Sequence, residues 1–131
     1  MLDAIDRSIY LLEQSLNLRM ARQNVIAANL ANVETPGYRA LDVNFEEVLR
    51  DIASRLDAEG SPTEAGTSLQ PVHLELRPAD ASSLGNDNNT VDLERELGKL
   101  SENALMFKAQ ALFLGKKLAM LREAIGSSQQ P

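Results

Sequence analysis

The sequence predicts a mainly α protein in which long N- and C-terminal helices pair as a coiled-coil-like bundle around a small irregular insert. Three observations predict it. Apolar residues recur at alternating spacings of three and four at both ends of the chain, the rhythm of a helix with one buried seam. The apolar content, 44% of 131 residues, is mostly Leu, Ala, Ile and Val, with 4% aromatic residues and no Trp, which suits helix–helix packing better than a β-sandwich. Between the two periodic ends lies a stretch rich in Gly, Ser, Thr and Pro that holds no second core.

The first element is the N-terminal arm, residues 1–39. Leu2, Ile5, Ile9, Leu12 and Leu16 form a heptad-like series, Arg19 and Gln23 interrupt it, and Ile26, Leu30 and Val33 resume it. Asp3 and Asp6 in the first turns oppose the positive end of the helix dipole. The arm ends in a built stop. Pro36 disfavours helical geometry at Thr35, and Pro36-Gly37 suits the central positions of a type II turn, where Gly supplies positive φ. Asn29 and Asn32, three apart, share one side of the helix, where their amides can reach a neighbouring backbone or another subunit.

The middle segment, residues 40–89, predicts one short helix over 44–56, with Phe45, Val48, Leu49, Ile52 and Leu56 on one face and Asn44 and Glu47 at the capping-box offset. Residues 57–89 read as a flexible loop. Within it Val72, Leu74 and Leu76 alternate with polar residues between Pro71 and Pro78, which allows one short strand.

The C-terminal arm, residues 90–126, carries the clearest period. Leu93, Leu97, Leu100, Ala104, Phe107, Ala111, Leu114, Leu118, Leu121 and Ile125 form its seam, and a helix over 92–125 is about 50 Å long. Asp92 or Thr90 can cap its start, and Gly126 suggests its end, leaving 127–131 as a frayed tail. Leu105, Met106, Leu112 and Phe113, with Ala119 and Met120, lie off that seam as a second apolar patch. Two stripes on one helix need partners on two sides. Either the middle segment folds back over the second stripe, or another molecule covers it.

Chemistry-bearing constellations are sparse. His73 is the only His, the serines lack a His/Asp context, and there is no Cys for a thiolate metal site or a disulfide. Asp87, Asn88, Asn89 and Asp92 superficially suggest calcium ligands, but the EF-hand Gly and terminal Glu are missing from their offsets, so turn chemistry accounts for them better. A net charge of −6 argues against a nucleic-acid partner. The reading is therefore of a non-enzyme with no cofactor, no metal and no small-molecule substrate. No stretch approaches the ~20 apolar residues that span a bilayer. Asp3, Asp6, Glu13 and Gln14 sit where a secretory signal would need an apolar core.

One string carries more than its parts. Ala28, Asn29, Ala31, Asn32, Thr35, Pro36, Gly37 and Tyr38 fill every fixed position of a pattern, ANxANxxTPGY, that the chain shares with the flagellar axial proteins. The sequence resembles this family of rod, hook and hook-associated subunits, and its short length is similar to the small proximal rod members. Asn17-Leu18-Arg19 with Arg22-Gln23, and Asn89-Thr90-Val91-Asp92-Leu93, support the same branch. The resemblance covers both arms and leaves residues 57–83 unmatched.

The resemblance implies a structural subunit of the bacterial flagellar rod. Its terminal helices would stack into a torque-transmitting tube across the periplasm. Implied partners are copies of itself, other rod subunits and an adaptor to the membrane ring and export gate. Export through the flagellar type III apparatus, without a cleaved signal peptide, is implied too. Phe45 and Leu49, in Phe-Glu-Glu-Val-Leu, look like a short export-gate element, though Phe and Leu four apart equally describe a plain core face. The rival reading is a cytoplasmic coiled-coil adaptor or export chaperone.

Overall fold

In the computed structural model, which describes residues 2–59, 76–79 and 86–127, the chain is three helices and a two-stranded sheet. In chain order these are α1 (Leu2–Ala31), β1 (Leu41–Val43), α2 (Phe45–Glu59), β2 (Leu76–Pro78) and α3 (Leu93–Ser127). The two long terminal helices pack on each other, as the period predicts, while α2 and β1 both lie against α1. No helix among the described residues is long and apolar enough to cross a membrane.

Local chemistry accounts for the helix starts. Asp92 Oδ1 accepts the Arg95 backbone N–H at 3.1 Å, which makes Asp92 the N-cap of α3, while Thr90 Oγ1 instead accepts the Ala40 N–H at 2.8 Å. Asn44 caps α2: its Oδ1 takes the Glu47 N–H at 3.5 Å, and its amide donates to the Glu47 carboxylate at 2.6 Å. The expected stop at Gly126 fails, because α3 runs on to Ser127. A Gly with no tertiary contact can be carried by the helix already propagating through it.

The strand expectation is met in kind and corrected in detail. β2 holds Leu76, and it pairs antiparallel with β1, a partner the sequence pattern did not reveal, in the register Leu41 to Pro78, Asp42 to Arg77 and Val43 to Leu76. Val72 and Leu74 lie outside the described residues, as does His73. β1 is too short to show a period, and only Val43 of its three residues is fully buried. Pro78 sits at the end of its strand, where the missing N–H costs nothing.

The main apolar cluster is small. Leu18 of α1 packs with Ile52 and Leu56 of α2, and Tyr10, Leu11, Phe45, Val48 and Leu49 lie partly buried around them. Ile26 of α1, Ala40 just before β1 and Val43 of β1 are also buried. α3 contributes no fully buried apolar side chain; its two buried residues are Glu96 and Asn103.

Candidate assembly site

The signature string folds into a hydrogen-bonded knot at the C-terminal end of α1. Asn29 is completely buried. Its amide donates to Leu41 O at 2.7 Å and to Glu96 Oε2 at 3.0 Å, and its Oδ1 accepts the Leu41 N–H at 3.0 Å and the Tyr38 hydroxyl at 3.5 Å. One side chain thus ties α1 to β1 and to α3. Thr35, Pro36, Gly37 and Tyr38 form the expected turn, with Tyr38 N–H donating to Thr35 O at 3.2 Å and Gly37 at φ 73°. Asn32 works locally, donating to Ala28 O at 2.8 Å and accepting the Thr35 hydroxyl at 3.1 Å.

The polar segment before α3, which its residues mark as turn chemistry, holds this turn in place. The Asn89 amide donates to three carbonyls of the turn that follows α1: Asn32 at 2.9 Å, Val33 at 3.0 Å and Thr35 at 2.8 Å. The Asn32 and Thr35 carbonyls also accept backbone N–H groups within the turn, so Asn89 adds a second tie to it from a distant part of the chain. Gly37 N–H donates to Asp87 O and Thr90 N–H to Tyr38 O. Asp87 Oδ1 accepts the Asn89 N–H, and Asn88 takes a positive φ of 58°. The polar run over 87–92 is thus a clasp on the signature turn. Among the described residues no cluster of His, Cys, Asp or Glu could hold a metal ion.

Beside the knot lies a linked charge cluster. Asp42 of β1 meets Arg22 of α1 at 3.0 Å and Lys99 of α3 at 3.1 Å, and Lys99 also meets the Glu96 carboxylate at 2.9 Å. Burial alone would raise the Asp42 carboxyl. Hydrogen bonds from Arg22, the Val43 N–H and Lys99 outweigh it and hold the group below its ordinary range. Burial would lower Lys99, but its bonds to Glu96 and Asp42 keep it raised.

The pairing of α1 with α3 is where the structure adds most. Glu96, Asn103, Gln110 and Lys117 fall seven apart and all reach α1. Glu96 takes Asn29, Asn103 donates to Arg19 O and Gln23 Oε1, Gln110 accepts from Arg19, and Lys117 donates to Ser8. The two interruptions in the N-terminal period, Arg19 and Gln23, are therefore the partners of this polar register. Arg19 is buried, lies 4.1 Å from the Phe45 ring centre, and has its guanidinium lowered by burial.

Apolar seam residues share that interface with the polar ones. Leu100, Phe107, Leu114 and Leu121, also seven apart, are partly covered, whereas Leu93, Leu97 and Leu118 are about half exposed on the flank. The second patch of Leu105, Met106, Leu112 and Phe113 is open to solvent, with Leu112 at 69% exposure. No described part of the middle segment folds back over it. Phe45 and Leu49 pack on the Leu18 cluster, so the core face and the export-like pair are the same residues. Ala28, Ala31, Thr35, Pro36 and Gly37 of the signature are exposed.

A chain built this way, with polar keys between long helices and apolar stripes left outside, is a structural protein of helical assemblies. Comparison with known proteins gives its family. Residues 9–39 match the family described as flagella basal body rod protein. The chain is 37% identical over 119 residues to the flagellar basal body rod protein FlgB of Escherichia coli, covering 82% of this chain and 85% of that one. It is 35% identical to the FlgB of Salmonella typhimurium over 130 residues, covering 90% and 92%. It is 29% identical to that of Aeromonas hydrophila over 131 residues, covering 96% and 98%. The chain belongs to the flagellar basal body rod protein family, as a structural subunit of the FlgB type. Nothing in these matches favours a cytoplasmic adaptor.

Proposed function

We propose that the chain enters the rod through the outward stripes of its terminal helices, with copies of itself and other rod subunits covering what the isolated chain leaves bare. One observation carries this reading: α3 exposes Leu105, Met106, Leu112 and Phe113 along one helix. A water-facing series of that length is costly for a lone chain and ordinary for a subunit. The polar register between α1 and α3 supports it from the other side, because it aligns the two helices without consuming the second apolar stripe.

Finer parts of the proposal rest on the family. The subunit reaches the basal body by the flagellar type III route without a cleaved signal peptide. It contacts an adaptor at the membrane ring and export gate. Phe45 and Leu49 act as the export-gate element. Since both side chains pack on the α1–α2 cluster, that element is readable only when α2 is undocked. The chain has no catalytic role, no cofactor and no small-molecule or nucleic-acid ligand.

The test is a strain lacking this protein. Rodless, non-swimming cells rescued by the intact chain are the expected result. Cells that swim with complete basal bodies overturn the proposal.

A further inference from the structure

The exposed charges of the two long helices are sorted by sign. Asp6, Glu13, Asn17, Met20 and Asn24 are exposed along one side of α1. Among the described residues of that helix, Asp6 and Glu13 are the only exposed charges, and both are acids. The bases of α1 are engaged inside the subunit. Arg7 holds the Leu56 carbonyl and Asp57, Arg19 holds Asn103 and Gln110, and Arg22 holds Asp42.

On α3 the sign is reversed. Between Glu102 and Glu123 it carries Lys108, Lys116, Lys117 and Arg122 and no carboxylate. Lys117 turns inward to Ser8. Lys108 and Lys116 are exposed on the side away from α1, each four residues from Leu112.

Asp6, Glu13, Lys108 and Lys116 have no hydrogen bond or ion pair among the described residues. Both sets lie outside the α1–α3 contact, so they do not meet within one chain. Their spacings agree. Asp6 and Glu13 are seven residues apart, about 10 Å along a helix, and Lys108 and Lys116 are eight apart, about 12 Å. Each set also has apolar neighbours. Leu105 and Leu112 stand exposed beside the lysines, while Met20 is exposed and Ile9 and Leu16 are partly covered beside the acids. An acidic and a basic stripe of matching pitch on one polypeptide are complementary between copies.

We propose that the Lys108–Leu112–Lys116 stripe on α3 of one copy lies along the Asp6–Glu13 stripe on α1 of a second copy, each lysine beside an acid. The two surfaces differ, so the contact is heterologous and leaves each copy a free stripe with which to continue the series. The inference rests on the rod-subunit reading and specifies one of its contacts.

Two full-length variants test it: Lys108→Glu with Lys116→Glu, and Asp6→Lys with Glu13→Lys. All four positions are exposed, so helicity by circular dichroism should be unchanged. In sedimentation at low salt the native chain should associate with rising concentration. Either variant alone, and the native chain at high salt, should associate about tenfold more weakly. An equimolar mixture of the two variants should recover native association, because every contact between them again joins opposite charges. A native chain that stays monomeric, variants that associate undiminished, or a mixture no better than its components overturns the proposal. Where a reversal lowers helicity, Asp6→Asn with Glu13→Gln replaces it and should flatten the salt dependence; a salt dependence left at its native value overturns the proposal. Whether the unaltered chain co-purifies with basal bodies tests the rod reading by itself, so the two can fail separately.

Discussion

At the scale of single residues, the molecule depends on amides and charges more than on its few buried aliphatics. Asn29 satisfies both backbone polar groups of Leu41 and one oxygen of Glu96, a carboxylate only 2% exposed. Asn29→Ala leaves these groups buried and short of partners, and should cost about 2–3 kcal/mol of stability. Urea unfolding of the full-length chain followed by circular dichroism measures it, and an unchanged midpoint would remove Asn29 from its central place. Asn89→Ala should cost less, about 1–2 kcal/mol, because the turn carbonyls it binds lie closer to water. Asp42 sets a pH dependence. Its folded carboxyl is lowered, so its contribution is complete above the unfolded value of about 3.9 and is lost as pH falls through the folded value. Unfolding midpoints should therefore drop in the acid range for the native chain and drop less for Asp42→Asn. Equal acid sensitivity in the two would contradict that role.

At the scale of elements, the existence and type of every helix were legible because each is long enough to repeat its pattern. Phe45, Val48, Leu49, Ile52 and Leu56 needed only their spacing to declare α2. The face that α3 turns to α1 was not legible in the same way. Hydrophobic periodicity ranks Leu97 and Leu118 as seam and Asn103 and Gln110 as solvent, yet the amides face α1 and the leucines stand half in water. A polar residue can occupy a helix interface when its partner lies on the other helix, and one sequence does not show which Asn will meet which Arg. β1 escaped for another reason: three residues carry no period, and their hydrogen bonds depend on a strand more than thirty positions away. The signature was the reverse case. Its string was readable at once, but the clasp from Asn89 was not, since only the fold brings the two together. Gly115 of α3 offers a test at this scale. A Cβ there meets nothing within 4 Å, so Gly115→Ala should stabilise the isolated chain by about 0.5–1 kcal/mol through helix propensity alone. Loss of swimming in a strain whose purified Gly115→Ala chain is more helical would show that a neighbour approaches the helix closely at that point.

At the scale of the whole molecule, internal and external surfaces of α3 can be separated by placing the same charge on each. Leu114 is partly covered, whereas Leu118 is about half exposed, one turn farther along. Leu114→Asp moves a carboxylate toward the α1–α3 interface and should lower the stability of the isolated chain by about 2 kcal/mol. Leu118→Asp meets water in the isolated chain, so its unfolding midpoint should shift by no more than about 0.5 kcal/mol. Both should abolish swimming, for different reasons: the first by weakening the subunit, the second by forcing an unpaired charge into a packed contact between subunits. Expression level, unfolding midpoint and swimming-ring diameter, measured on both strains, separate the two. If Leu118→Asp cells swim normally while Leu114→Asp cells do not, the flank of Leu93, Leu97 and Leu118 faces solvent in the assembled rod. Contacts between subunits then fall to the stripe of Leu105, Leu112 and Phe113 on the far side of the helix.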